Sequence, residues 1–456
     1  MSFFKAYDMR GAFGTDFDLD TVYRIGRWLP VVLGARRMLV GRDARLSSEA
    51  IRDALCRGLM ASGCDVDDMG LATTPMVYFF TAKEGYDASV QITASHNPAS
   101  HNGMKVSRAG ALPVGYDTGL QELETRVASG VLPCAAAAAG VVRSVSCREA
   151  FVAWLLARRP DLSGLKFAVD CSDGVAGLVA RSVFGEGPVY LNEVPDGHFP
   201  HHSPNPLEIE SCAQLMEQVK SRGLDVGVIF DGDADRVMFV DETGAFVQPD
   251  YLIPVIAHTF LVREPGATVI HDIRTSRGVI EALHADGAKT VMGKVGHAFA
   301  KVALRETGAV CGGELAGHYY FRDFFCCDSG EFAALLVLGA LAEAKRRGVT
   351  FSGLIAPIRR YANSGEMNFR IADKDGAIAA VLAALETFGA PLASYAFDGV
   401  RVEFADGWVN IRKSNTEPYV RLIVEARDAA LLAARTAQLR GVLAPFCAAP
   451  EQKIFG

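Results

Sequence analysis

No apolar run in this chain is long enough to cross a membrane. The longest of interest, Phe332 to Ala342, falls far short of the ~20 residues a spanning helix needs and reads as a buried helix. The first residues, MSFFKAYDMRG, bring in charge too early for an export signal and hold no apolar stretch. Positive charge is in deficit: the formal net charge is −7 over 456 residues. Phosphate-backbone binding needs a positive field, so nucleic acid and acidic membrane surfaces are excluded as main partners. An anionic substrate must then find its positive contacts locally. The ten cysteines form no CxxC pair, and the adjacent Cys326 and Cys327 are poorly spaced for zinc. They read as reduced, mostly buried thiols of a cytoplasmic protein. Neither a phosphate-binding GxxxxGK[ST] loop nor a GxSxG elbow around a nucleophile is present.

What is there suits several packed domains. Half the residues are hydrophobic and 22% are charged, and the length calls for about three or four domains. Three segments share one pattern, a short apolar strand, a polar turn and a helix-like stretch: Met38–Ser48, Lys166–Ala176 and Thr268–Gly278. In the first, Ser47 or Ser48 is placed to cap a helix running through Leu59. Strand then helix, repeated at domain spacing, predicts three similar α/β units. The Ala-rich stretch Pro133–Gly140 reads as a connector or surface loop. The last hundred residues differ: a strand at Met367–Ile371, a helix at Asp375–Phe388, a β-rich stretch from Gly399 to Ala426, and a closing helix from Asp428. The expected domains are 1–145, 146–247 and 248–360, all α/β, and a smaller α+β domain at 361–456.

Four segments carry chemistry. In Asp87–Pro98, Val90 and Ile92 alternate with polar residues as a strand does, and Asn97-Pro98 forces a turn after Ser95. A serine there is exposed as a nucleophile would be. Taken alone, the turn reads first as one that satisfies only its own backbone. In Asp225–Gly244, two apolar strands flank Asp231, Asp233 and Asp235. Three crowded carboxylates repel unless a cation offsets them, and hard oxygen ligands suit Mg²⁺ or Ca²⁺. A Ca²⁺ loop of the helix–loop–helix type fails, because Arg236 stands where that loop needs glycine and the flanks are strands. The alternative is a solvated acidic hairpin. In Gly312–Phe321, glycines bring Glu314 close to His318, a pairing that suits sugar hydroxyls and equally a satisfied loop histidine. In Arg412–Arg421, Arg412 offers a planar fork to phosphate, and Ser414, Asn415 and Thr416 add short donors. This is equally a polar hairpin turn.

Together and in this order, TASHNP, DGDADR, GELAGH and RKSNTEP resemble the four active-site loops of the α-D-phosphohexomutase family. The resemblance spans the chain from Lys5–Gly11 to Arg412–Arg421. Within the family, Ala316–Asp328 and Asn415 resemble the bacterial phosphomannomutase branch, whose members often also act on glucose phosphates; the N-acetylglucosamine branch usually has glycine at the position of Asn415. The resemblance implies a heart-shaped, four-domain α/β protein, three related mixed domains and a smaller α+β domain, each giving one loop to a central cleft. It implies a phosphoserine at Ser95, which with Asp231, Asp233 and Asp235 holds Mg²⁺. The phosphoryl group passes to a hexose phosphate, gives a 1,6-bisphosphate, and returns to Ser95 from the other position. Glucose 1,6-bisphosphate or mannose 1,6-bisphosphate is the implied activator. Arg10, Lys105 and His297 are the implied proton-handling residues. Tyr7, Arg236, Arg274, Glu314, Ala316, His318, Arg412, Ser414, Asn415, Thr416 and Arg421 are the implied substrate contacts. Ala316 departs from the serine usual there, which removes one hydroxyl contact worth about 0.5–1.5 kcal/mol. The expected partner is a small hexose phosphate, and the expected assembly a monomer or weak dimer. The competing readings are a phosphoglucosamine mutase, a phosphosugar-binding protein without turnover, and a phosphatase that uses the same serine with water as acceptor.

Overall fold

The computed structural model describes residues 3–414 and 419–447 and the backbone of Gln452–Lys453. Four sheets are present among them. In the first, the strand Arg37–Arg42 runs parallel to Asp65–Leu71 on one side and to Ala88–Ile92 on the other. Ala88–Ile92 then pairs antiparallel with His101–Arg108. The second sheet repeats this plan. Phe167–Asp170 lies between the parallel strands Val189–Leu191 and Val226–Phe230, and Val226–Phe230 turns back into Val237–Asp241. The third does so again, with Thr268–Asp272 between Lys289–Gly293 and Cys311–Gly313, and Tyr319–Phe321 as the returning strand. The three segments singled out by their strand–turn–helix pattern thus supply, in each sheet, the strand with a parallel neighbour on both sides.

One consequence positions the site. Residues 93–100, 231–236 and 314–318 are the same connection in each unit, the hairpin from the third strand to the fourth. The fourth sheet is antiparallel throughout, and its hairpin between Gly407–Lys413 and Tyr419–Ala426 is the one that carries RKSNTEP. Helices Lys374–Leu385 and Ala429–Leu443 bury Val381, Leu385, Leu439 and Leu443 with that sheet's Met367, Phe369 and Leu422. The first three units share one continuous core, where Phe79, Phe151, Trp154, Phe324 and Phe332 meet. The fourth has its own core and meets the third largely through polar contacts. Arg401 donates to the carbonyls of Ile273 (2.8 Å) and Thr275 (2.7 Å), and the backbone N–H of Arg277 donates to Glu425 (2.9 Å).

Local structure follows the chemistry with one difference, at Ser47. The strand expected from the alternation of Val90 and Ile92 is Ala88–Ile92, buried at all five positions. Its sheet is covered on both faces, so the polar members are satisfied inside. Ser89 accepts from Thr81 Oγ1 (2.7 Å), and Gln91 Nε2 donates to the Ala72 carbonyl (2.9 Å). Ser47 occupies the cap position of helix Ser48–Ala61 without a capping hydrogen bond, while Ser48 donates instead to Asp43 Oδ1 (2.6 Å). The buried helix expected at 332–342 is Gly330–Arg346, capped by Ser329, which accepts from the Phe332 N–H. All ten cysteines are free and only Cys134 is exposed. No helix among the described residues is long and apolar enough to cross a membrane.

Asp250, fully buried, accepts from the Ser276 N–H (2.8 Å) and Gln248 Nε2 (2.7 Å). Burial nonetheless pushes its carboxyl up to about 7. The folded value lies above the unfolded one, so its contribution to stability is complete below about pH 4 and is lost as pH rises through 7. Asp250→Asn is therefore expected to flatten the fall in melting temperature between about pH 4 and 7, measured by differential scanning calorimetry. An unchanged slope would count against this assignment.

Candidate active site

The first three hairpins face one cleft of about 1060 Å³, which every unit lines: Ser95 and Lys105, Arg236, His297 and Glu314, Glu366 and Arg421. Ser95 stands on the first hairpin with φ 52°, a backbone state unusual for a residue with a side chain. The state is held from below. Arg45, with no exposed side-chain surface, donates to four carbonyls of this loop: Ser95 (2.9 Å), Asn97 (2.6 Å), Pro98 (2.6 Å) and His101 (2.9 Å). Asp43 orients the same guanidinium at 3.1 Å. A lysine cannot reproduce this fork. Arg45→Lys is expected to shift the loop and reduce turnover about 10²-fold with the overall fold retained. Steady-state kinetics beside circular dichroism would check it, and parental kinetics would discard the role.

Ser95 Oγ donates to Asp231 Oδ2 at 2.7 Å, with His96 Nδ1 at 3.3 Å and an Arg236 nitrogen at 3.5 Å. The second hairpin approaches so closely that a Cβ on Gly232 would lie 2.6 Å from the Ser95 carbonyl oxygen, so glycine is required there. Asp231, Asp233 and Asp235 are fully buried, with ligand atoms all within 4.8 Å of one another. Lys105 bridges Asp233 (2.7 Å) and Asp235, Thr74 donates to Asp233 Oδ2 (2.6 Å), and Arg236 Nε donates to Asp231 (2.9 Å). Burial opposes the charged form of Lys105, but Asp233 and Asp235 outweigh it and hold the ammonium above its usual range. Burial pushes Asp231 up. Asp233 Oδ1 and Asp235 Oδ1 are buried without a hydrogen-bond partner among the described residues. Buried carboxylate oxygens left bare beside a third carboxylate fit a hard divalent cation.

The third hairpin is stitched to the second: the Val237 N–H donates to the Gly317 carbonyl (3.2 Å), and Arg236 and His318 form a β-bridge. Glu314 accepts from Tyr320 (2.8 Å) and the Gly296 N–H (3.3 Å). His318 Nδ1 pairs with Asp328 at 2.8 Å, and Lys301 lies 2.8 Å from the other oxygen of Asp328. Burial works against the charged form of His318, yet Asp235 and then Asp328 outweigh it and raise its pKa. His297, whose ring lies 5.9 Å from that of His318, goes the other way. Burial, then Lys301 and Lys105, hold it neutral, and both its nitrogens are buried without a partner among the described residues. Tyr7 packs edge-on against His297 at 5.2 Å, and Arg10 donates to Asn97 (2.9 Å) and Asp8 (2.5 Å). At the far end, Arg274, Arg412 and Arg421 gather around Glu366.

Four family models cover the chain in order. They are the phosphoglucomutase/phosphomannomutase alpha/beta/alpha domains I (residues 1–131), II (149–244) and III (248–361), and the C-terminal domain (366–442). The chain belongs to the phosphoglucomutase/phosphomannomutase family. It is 39% identical over 453 residues to a phosphomannomutase of Salmonella montevideo, covering 96% of this chain and 98% of that one. It is 38% identical over 453 residues to the phosphohexose mutases of Xanthomonas campestris, with the same coverage. Among solved structures, a phosphoglucomutase/phosphomannomutase family protein from Burkholderia thailandensis superposes with a TM-score of 0.88 at 31% identity, covering 97% of each chain.

The structure brings together Tyr7, Arg10, Ser95, Lys105, Arg236, Arg274, His297, Glu314, Ala316, His318 and Arg421 around the cleft, with the three aspartates beneath it. Arg412 is buried behind Glu366, and Ser414 lies at the end of its strand. Asn415 and Thr416 lie outside the described residues. Sequence reading missed Arg45, Asp328, Lys301 and Glu366. Arg45 lies in MLVGRDARLSS and Asp328 ends AGHYYFRDFFCCD, so both were within quoted segments, but their targets are distant in the chain.

Proposed function

We propose that this chain interconverts the 1- and 6-phosphates of hexoses, mannose and also glucose, by passing a phosphoryl group through Ser95. The observation that carries it is Ser95 itself: its hydroxyl lies 2.7 Å from the buried acidic cluster, on a strained turn open to a cleft that Arg274 and Arg421 also line. When bound at Asp231, Asp233 and Asp235, Mg²⁺ supplies the positive charge that phosphoryl transfer needs.

The residues divide the remaining work. The bond from phosphorus to Ser95 Oγ breaks as a bond to the free sugar hydroxyl forms, and the hydroxyl proton leaves to a base. Neutral His297, with both nitrogens bare, can accept it. Arg10, Lys105 and Arg236 bring cationic donors to the phosphoryl oxygens. Glu314 and His318 hold sugar hydroxyls, and Ala316 leaves one contact unmade. Arg274, Arg412, Ser414, Asn415, Thr416 and Arg421, with Tyr7 nearby, hold the phosphate that is not reacting. The 1,6-bisphosphate then turns around and returns its other phosphoryl group to Ser95. Added glucose or mannose 1,6-bisphosphate recharges an unphosphorylated Ser95. The protein works in the cytoplasm as a monomer or weak dimer.

Phosphorus NMR of mannose 1-phosphate and glucose 1-phosphate, each with Mg²⁺ and catalytic glucose 1,6-bisphosphate, tests the reading. Both are expected to give the 6-phosphate. Inorganic phosphate as the main product would replace the mutase by a phosphatase.

A further inference from the structure

Glu366 opens the last domain, just after the turn at Ser364-Gly365, where Gly365 has φ 66°. It is almost fully buried, and three guanidiniums converge on it. Arg274, from the third unit, lies 3.3 Å from Oε2; Arg412, from the fourth, lies 3.2 Å from the same oxygen; Arg421 lies 2.8 Å from Oε1. A carboxylate that gathers arginines from both sides of a domain junction is a costly thing to bury unless it serves them. Arg274 is fixed a second time by Asp272, whose Oδ2 also accepts the Leu315 N–H of the sugar hairpin at 3.0 Å. Arg412 keeps a buried Nε–H that no group among the described residues accepts.

We propose that Glu366 is a positioning residue that stands in for the substrate's phosphate: it spreads the three arginines into an open seat and limits how tightly that seat grips. The inference rests on the reading above that these arginines hold the non-reacting phosphate. Like-charged guanidiniums cannot share a small buried space without an anion between them. Glu366 keeps them converged before substrate arrives, so the seat needs no rearrangement to receive a phosphate carrying about −1.5 to −2 charges. Its negative charge also opposes that phosphate. A turnover that must release the bisphosphate, turn it and seat its other end is slowed by a grip equally strong at every stage. Glu366 thus trades affinity for release.

The test is Glu366→Gln, which keeps the shape and removes the charge. Isothermal titration with inorganic phosphate, without divalent cation, reads the seat as the part of the binding that Arg412→Ala removes; steady-state kinetics reads turnover. Phosphate is expected to bind about tenfold more tightly, with KM and kcat both reduced. A residue that merely held the arginines in place would instead raise KM and weaken phosphate. Phosphate affinity unchanged or weakened, or tightened with kcat undiminished, overturns the proposal. Glu366→Asp, which withdraws the carboxylate by one methylene, is read in the same way with a smaller shift, and serves if the glutamine variant does not fold. Arg412→Ala separates the two readings. If it leaves phosphate binding intact, the seat itself is misassigned. If it abolishes binding while Glu366→Gln fails to tighten it, only the role of Glu366 is wrong.

Discussion

Ser95→Ala is expected to lose mutase turnover by about 10⁴-fold or more while keeping its fold. The hydroxyl is the one group of its loop that reaches the acidic cluster, donating to Asp231 Oδ2 at 2.7 Å. The backbone that presents it is held by Arg45 through carbonyls, which an alanine leaves in place. The stability change should therefore stay near the value of a single hydrogen bond, about 1 kcal/mol. Coupled-enzyme kinetics and a melting curve, run on the same preparation, read the two effects. Intact-mass measurement adds a third: a phosphate adduct after incubation with glucose 1,6-bisphosphate should be present in the parent and absent from the variant. Full activity in Ser95→Ala would end the phosphoserine mechanism.

Removing the divalent ion should be nearly as severe. Chelation is expected to stop turnover, and Mg²⁺ to restore it. Asp235→Asn should lower kcat by about 10²–10³-fold even with saturating Mg²⁺. In the parent, Lys105 neutralises only part of the cluster, on Asp233 and Asp235 through their Oδ2 atoms, and leaves both Oδ1 atoms bare. Mg²⁺ should raise the melting temperature of the parent and raise that of Asp235→Asn much less. Mg²⁺-dependent turnover at the parental rate in that variant would move the ion elsewhere.

The parts of the site written as contiguous turns were legible in the sequence. Ser95, the three aspartates, Glu314 and His318 each lie on a short hairpin whose strands and breakers announce it. The residues that fix those turns were not. Arg45 reaches carbonyls some fifty positions away, and Glu366 meets Arg274 across ninety-two. Such pairings depend on which hairpins the sheets bring together, and periodicity carries no record of that. The strand at Ala88–Ile92 was legible from its alternation, but the burial of its polar members was not, since the partners of Ser89 and Gln91, Thr81 and the Ala72 carbonyl, come from other segments. The repetition of units was legible only as three strand–turn–helix segments; the common strand order needed the pairing itself.

That common order has a practical meaning. Each of the first three units carries its loop at the same place, the hairpin from its third strand to its fourth. The hairpin carrying Glu314, Ala316 and His318 is therefore an interchangeable cartridge. Its anchors to the neighbouring loop run largely through backbone, by the bond from Val237 to Gly317 and by the bridge between Arg236 and His318. If the proposed sugar contacts hold, substitution at Ala316 is expected to shift the ratio of mannose to glucose phosphate turnover while the acidic cluster beside it stays intact.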